Sequence, residues 1–209
     1  MNPRSENEQH RRLMRLELQH RLRNSMASVR AIARRTYESS TSLDGFFEAF
    51  DARLRALGLS QALLAKAGEA GSELTELIAD QLQLIGGNLQ AQVSTEGPKV
   101  RLEEKAAEIL SLAIHELAMN AIRYGALSDD AGRVTVCWHV DGDALLFEWR
   151  EQNAVPVSST EAYGFGRELL EEGLDYTLGG TSELQFTPRG VSFHCRVPIA
   201  GNIKSVEEN

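Results

Sequence analysis

The chain reads as an α+β protein: a helical hairpin, then a domain that layers helices on a mixed sheet. Three observations carry this. Residues 6–37 contain no Pro or Gly and place apolar residues in helical register. Two stretches around Asp141-Gly142 alternate apolar and polar residues, the pattern of two strands joined by a tight turn. Elsewhere in the C-terminal part, helical and extended segments follow one another in the order of a layered domain.

In the first helix, about Glu6–Tyr37, Leu18, Leu22, Ser25, Val29 and Ile32 follow a heptad spacing. The polar turn Ser39–Gly45 closes it and suits the cap of a second helix. That helix runs to about Ala67, with Phe47, Phe50, Leu54, Leu57 and Leu64 on one stripe. Two helices cannot cover both seams alone, so a second copy is expected to complete a four-helix bundle. The small residues of Ala67–Ser72 mark a change of pattern and suggest two domains, 1–70 and 71–209.

After that stretch come a short helix at about Glu73–Ile85 and extended segments at Leu89–Thr95 and Lys99–Leu102. A long helix covers Glu103–Tyr124. The two alternating strands are Arg133–Val140 and Ala144–Glu151. A helix at about Arg167–Thr177 ends at Gly179-Gly180, and strands Ser182–Thr187 and Val191–Val197 follow.

Composition narrows the class. Of 209 residues, 42% are hydrophobic and 25% charged, which is ordinary for a globular protein. No apolar run is long enough for a membrane helix or a signal-peptide core, so a cytoplasmic protein without a membrane partner is expected. Cys137 and Cys195 lie far apart without metal-ligand spacing and are expected as reduced thiols. Residues 1–35 hold nine arginines against Glu6, Glu8 and Glu17, a balance of +6 that leaves −14 on the remainder. A basic helix on an acidic body suits either an acidic protein partner or nucleic acid.

Two constellations carry chemistry. In HELAMNAIRYGALS, residues 115–128, Glu116 and Asn120 stand four apart and stack on one helix face. Carboxylate and carboxamide oxygens suit a hard cation such as Mg²⁺. Arg123 suits phosphate, and Tyr124 suits a base. The same spacing equally describes a core helix with Leu112, Leu117 and Ile122 inward. On the first helix, His20 lies about 180° from the centre of the apolar seam. It shares that outer side with Arg23, Asn24, Ala27, Ala31 and Arg34. An exposed imidazole is a competent nucleophile and phosphate carrier, though an ordinary surface histidine gives the same pattern.

HRLRN at 20–24, within ELQHRLRNSMASVRAIARRT, resembles the phospho-acceptor helix of the HWE family of bacterial sensor histidine kinases. HELAMNAIRYGALS resembles that family's asparagine box, with His115 as its named histidine. Trp149 and Glu151 in FEWRE stand as the other two named residues. GFGRELLEEGLDYTLGG at 164–180 resembles the second glycine box, and GVSFHCRVP at 190–198 the closing strand. The resemblance implies a dimerisation and phosphotransfer hairpin over 1–70 and a Bergerat (GHKL) type α/β sandwich that binds ATP over 71–209. His20 would carry the phosphoryl group, with Asn24 beside it. Asn120 would hold Mg²⁺, and Glu116 would orient or accept a proton. Arg123 would meet phosphate, and Tyr124 would pack near adenine. Glu151 would stand where ordinary histidine kinases place the adenine-reading aspartate. Gly164 and Gly166 would line the phosphate lid, and Ser192 would lie near the base.

The loop after Glu151 departs from the family, whose glycines precede the Pro-Val pair. Here it reads Gln152-Asn153-Ala154-Val155-Pro156-Val157. Asn153 tolerates positive φ better than most residues; Gln152 and Ala154 do not. The expected activity is a histidine kinase that phosphorylates His20 from Mg-ATP. It would pass the group to a response-regulator receiver docked on the basic, alanine-lined helix face. With about sixteen residues before the acceptor motif, input is expected from a partner or effector. Two alternatives stay open: a phosphotransferase whose nucleotide domain no longer binds ATP, and a non-catalytic binding module. For nucleic acid, steep salt dependence would be expected instead.

Overall fold

The computed structural model describes residues 3–67, 71–86, 89–153, 169–187 and 189–207, with the side chains of 3–18, 20, 21, 60, 63–67 and 90 outside that description. Two compact units, Met1–Leu54 and Arg55–Asn209, meet inside the second helix, N-terminal to the stretch where composition changes.

The first unit holds α1 (Pro3–Ser39) and the start of α2 (Leu43–Ala67). Ser42 Oγ accepts the Gly45 N–H at 3.1 Å, capping α2 as the polar turn suggested. Near this turn Ile32 and Thr36 are buried. Thr36 Oγ1 donates to the Ile32 carbonyl (2.6 Å) and accepts from Arg53 Nη1 (3.2 Å), so the buried guanidinium joins the two helices. Other apolar residues of the two helices are uncovered: Leu22 is 60% exposed and Phe47 58%. Periodicity turns both inward, but a single pair of helices has no further surface to cover them.

The second unit begins with the rest of α2. The Ala56 carbonyl accepts from Gln81 Nε2 and from Ser111 Oγ, both at 3.3 Å. Those residues lie on α3 (Leu74–Ile85) and α4 (Glu104–Tyr124). Strands β1 (Ser72–Glu73), β3 (Lys99–Leu102) and β8 (Ile203–Glu207) form a small antiparallel sheet. The large sheet runs β2-β4-β5-β7-β6, comprising Val93–Glu96, Arg133–Asp141, Ala144–Gln152, Gly190–Pro198 and Thr181–Thr187. Among the described strands, β2 and β4 pair in parallel and the other neighbours are antiparallel. The β4–β5 hairpin turns at Asp141-Gly142, where Gly142 has φ 61°, a conformation glycine adopts without strain.

One face of this sheet is the core. Val134, Val136, Trp138, Phe147, Trp149, Phe193 and Cys195 pack with Leu110, Ile114 and Leu117 of α4 and with Leu77 and Ile78 of α3. Burial alternates along β4 and β5 with the two-residue period of a half-buried strand. Of the helix expected at about Arg167–Thr177, the part from residue 169 onward lies within the described residues. Its described part is a wide turn, Leu169–Gly173, leading into α5 (Leu174–Leu178), which ends at Gly179 with φ 68°. Leu89–Ala91, expected as extended, is a short 3₁₀ turn before β2.

Candidate functional site

The site grows from the meeting of β5 with the end of α4. Glu151 is the last helix-facing residue of β5 and is only 5% exposed. Its Oε2 accepts the Ala126 backbone N–H at 2.9 Å, and its Oε1 accepts the Trp149 indole N–H at 3.3 Å. Trp149 is wholly buried. The tryptophan is thus a core residue that also orients the carboxyl two positions along the strand. Gly125 gives the room: a Cβ there would stand 2.0 Å from Glu151 Oε2. Burial pushes the Glu151 carboxyl up to about 7, outweighing the two donors that favour its charge. A carboxylate has about four acceptor positions, so two donors leave it able to accept more.

The helix before this turn carries the asparagine motif. Glu116 is buried, and Asn120, one turn later, is half-buried. The Asn120 amide nitrogen is buried without a hydrogen-bond partner. An unspent amide N–H fits a ligand-facing role, since it can donate to a phosphate oxygen; a hard cation would instead take the carboxamide oxygen. Arg123 and Tyr124, at the end of α4, are exposed, the tyrosine by 45%. His115, on α4, is buried, only 3% exposed.

Ser192 does not join this group. It pairs with Arg150 on β5 and Gln185 on β6, while its neighbours Val191 and Phe193 lie in the core. It therefore sits on the outer sheet face, opposite Glu151. Strand alternation decides this, and Val191 and Phe193 on either side were the signal for it. Gly164 and Gly166 lie outside the described residues.

On α1 the backbone of His20 is helical and its side chain lies outside the described set. The face assigned to it is solvent-facing: Arg23, Asn24, Ala27, Ala31 and Arg34 are exposed. His139 and His194 are exposed on strands. Both thiols are free: Cys195 is buried, which pushes it up to about 12, and Cys137 is half-buried.

Sequence reasoning missed two features. The Ala126 amide was not anticipated as a partner of Glu151, because 25 residues separate them. Asn153 was read for its backbone tolerance, yet no described non-glycine residue has positive φ.

Residues 17–99 match the family model of the HWE histidine kinases. A blue-light-activated histidine kinase of Brucella ovis is 29% identical over 200 residues, covering 94% of this chain and 41% of the relative. Its counterpart in Brucella anthropi is 30% identical over 191 residues, covering 90% and 39%. This chain thus spans about two-fifths of the length of those relatives. Among solved structures, the histidine kinase domain of the Erythrobacter litoralis EL346 blue-light activated histidine kinase superposes with a TM-score of 0.61 at 20% identity, covering 95% of both chains. A longer chain of that kinase gives 0.63 at 18% identity, with 88% of this chain and 58% of the other covered. The fold is that of the solved histidine kinase domains, and the segment from residue 17 to residue 99 is similar to the HWE histidine kinases.

Proposed function

We propose that this chain is the dimerisation, phosphotransfer and ATP-binding core of a two-component histidine kinase. The observation that carries the nucleotide site is the closure of β5 on the end of α4. It brings Glu151 against the Gly125–Ala126 turn, directly after the helix turn that bears Asn120. Glu151 accepts from the adenine amino group, with Tyr124 beside the base and Arg123 toward the phosphates. Asn120 holds the Mg²⁺ that arrives with ATP, which supplies charge neutralisation at the phosphates. Glu116 orients the reacting groups or takes a proton. Gly164 and Gly166 belong to the lid over the phosphates.

The γ-phosphoryl group passes from ATP to the imidazole of His20, leaving ADP. From there it passes to an aspartate of a response-regulator receiver, regenerating the free histidine. Positioning and charge neutralisation are the main work of such a site. The receiver docks on the exposed face of α1, where Ala27 and Ala31 permit close approach, Asn24 flanks His20, and Arg23 and Arg34 suit an acidic partner. Residues 1–70 serve dimerisation and phosphotransfer, and 71–209 bind ATP. Leu22, Met26 and Phe47, all exposed in one copy, pack in a homodimeric four-helix bundle. ATP use and the free thiols agree with a cytoplasmic setting. No described helix is long and apolar enough to cross a membrane.

The test uses purified protein with γ-labelled ATP and Mg²⁺, comparing the wild type with His20→Ala and Asn120→Ala. Acid-labile label on the wild type and neither variant is expected. Label taken up at His20 only from a phosphorylated receiver would mark a phosphotransferase. No label by either route would leave a binding module.

A further inference from the structure

Asn153 is the first residue beyond β5. Its N–H donates to the Arg189 carbonyl at 2.7 Å, so the β5–β7 ladder still holds its backbone. Strand alternation sets Trp149, Glu151 and Asn153 on the helix-facing side. Its carboxamide lies against Gly190, where a Cβ would stand 3.0 Å from Asn153 Oδ1 and 2.6 Å from the Glu151 carbonyl oxygen. Yet both Nδ2 and Oδ1 are buried without a hydrogen-bond partner. Buried polar groups are nearly always paired, and an orphaned donor with an orphaned acceptor costs stability unless a ligand answers them. Backbone need does not explain the residue, since its φ is not positive.

We propose that the Asn153 carboxamide contacts the nucleotide, reading the edge of adenine beside Glu151; this rests on the reading of the site as an ATP site. Adenine sets an amino donor next to a ring-nitrogen acceptor, and a carboxamide answers both at once. Guanine offers O6 and N7 there, two acceptors, which leaves the carboxamide oxygen unanswered. Glu151 only accepts when ionised, so Asn153 supplies the donor that the carboxylate lacks. The side chain thereby becomes a selectivity element.

The experiment is calorimetric titration of the full chain with ATP and with GTP in Mg²⁺, for the wild type, Asn153→Ala and Asn153→Gly, with urea unfolding of each free protein. ATP binding is expected to weaken roughly tenfold in both variants, with little change for GTP and an equal or higher urea midpoint. Unchanged or tighter ATP binding in the variants, with a binding wild type, overturns the inference and leaves the ATP site standing. Equal losses for ATP and GTP with a lowered midpoint mark a structural asparagine and also overturn it. A wild type that binds no ATP overturns both.

Discussion

Ala126 donates its backbone N–H to Glu151 Oε2 across 2.9 Å, joining the turn after α4 to the end of β5. The bond ties the asparagine-bearing helix to the strand whose carboxyl faces the proposed base. It also holds a carboxyl in a place where burial resists its charge.

Glu151 makes the protein pH-sensitive in a defined direction. Its carboxyl rises from 4.5 to about 7 on folding. Between those values the folded chain keeps a proton that the unfolded chain releases, so stability falls as pH rises. The full effect above pH 7 is on the order of 3 kcal/mol. Urea midpoints at pH 5 and pH 8 are expected to differ more in the wild type than in Glu151→Gln; equal differences would contradict the assignment. ATP affinity has the opposite trend, weakening below about pH 7 as the acceptor is protonated.

Gly125→Ala is expected to disturb that same contact. Its Cβ would stand 2.0 Å from Glu151 Oε2 and 2.9 Å from Ala121 Cα. Overpacking of this kind costs about 1–3 kcal/mol, and nucleotide titration should show weakened binding. Gly58→Ala is the contrast, because nothing lies within 4 Å of its Cβ position on α2. Removing a helical glycine there should raise stability by about 0.5–1 kcal/mol. Thermal melts of the two variants should move in opposite directions.

Gln81 and Ser111 form a buried pair with Nε2 and Oγ 2.6 Å apart, and both reach the Ala56 carbonyl. Ser111→Ala and Gln81→Leu should each cost about 1–3 kcal/mol, since each leaves a buried group short of a partner. The double variant should lose clearly less than the sum, as measured in a double-mutant cycle by urea unfolding. Additive losses would show that the pair is not coupled.

Leu22 and Met26 are 60% and 55% exposed on α1. Sedimentation of the wild type should show a dimer, and Leu22→Glu with Met26→Glu should show a monomer. A wild type that sediments as a monomer at high concentration would remove the four-helix-bundle proposal.

Periodicity made much of the fold legible. The β4–β5 hairpin and the β6–β7 pair follow it, because each strand buries one face; α4 follows its helical register although residues 110–118 are buried on every side. β8 was not legible: in Ile203–Glu207 the charged and polar residues outnumber the apolar ones, and only pairing with β3 defines the strand. β1 has two residues, too few for any pattern. The outward face of Ser192 is legible from its apolar neighbours Val191 and Phe193.

The sequence by itself determined the order of the longer elements and which of their faces are apolar. It also carries stretches, from His20 to the closing strand, that resemble histidine kinase motifs. These are local properties, set by spacing along one helix or strand. Tertiary structure alone decided that Ala126 and Trp149 share the Glu151 carboxyl and that burial raises it. It also decided that Asn153 holds two polar atoms without partners. Those outcomes depend on which backbone lies opposite and how much water is excluded, quantities that arise only when distant segments pack together.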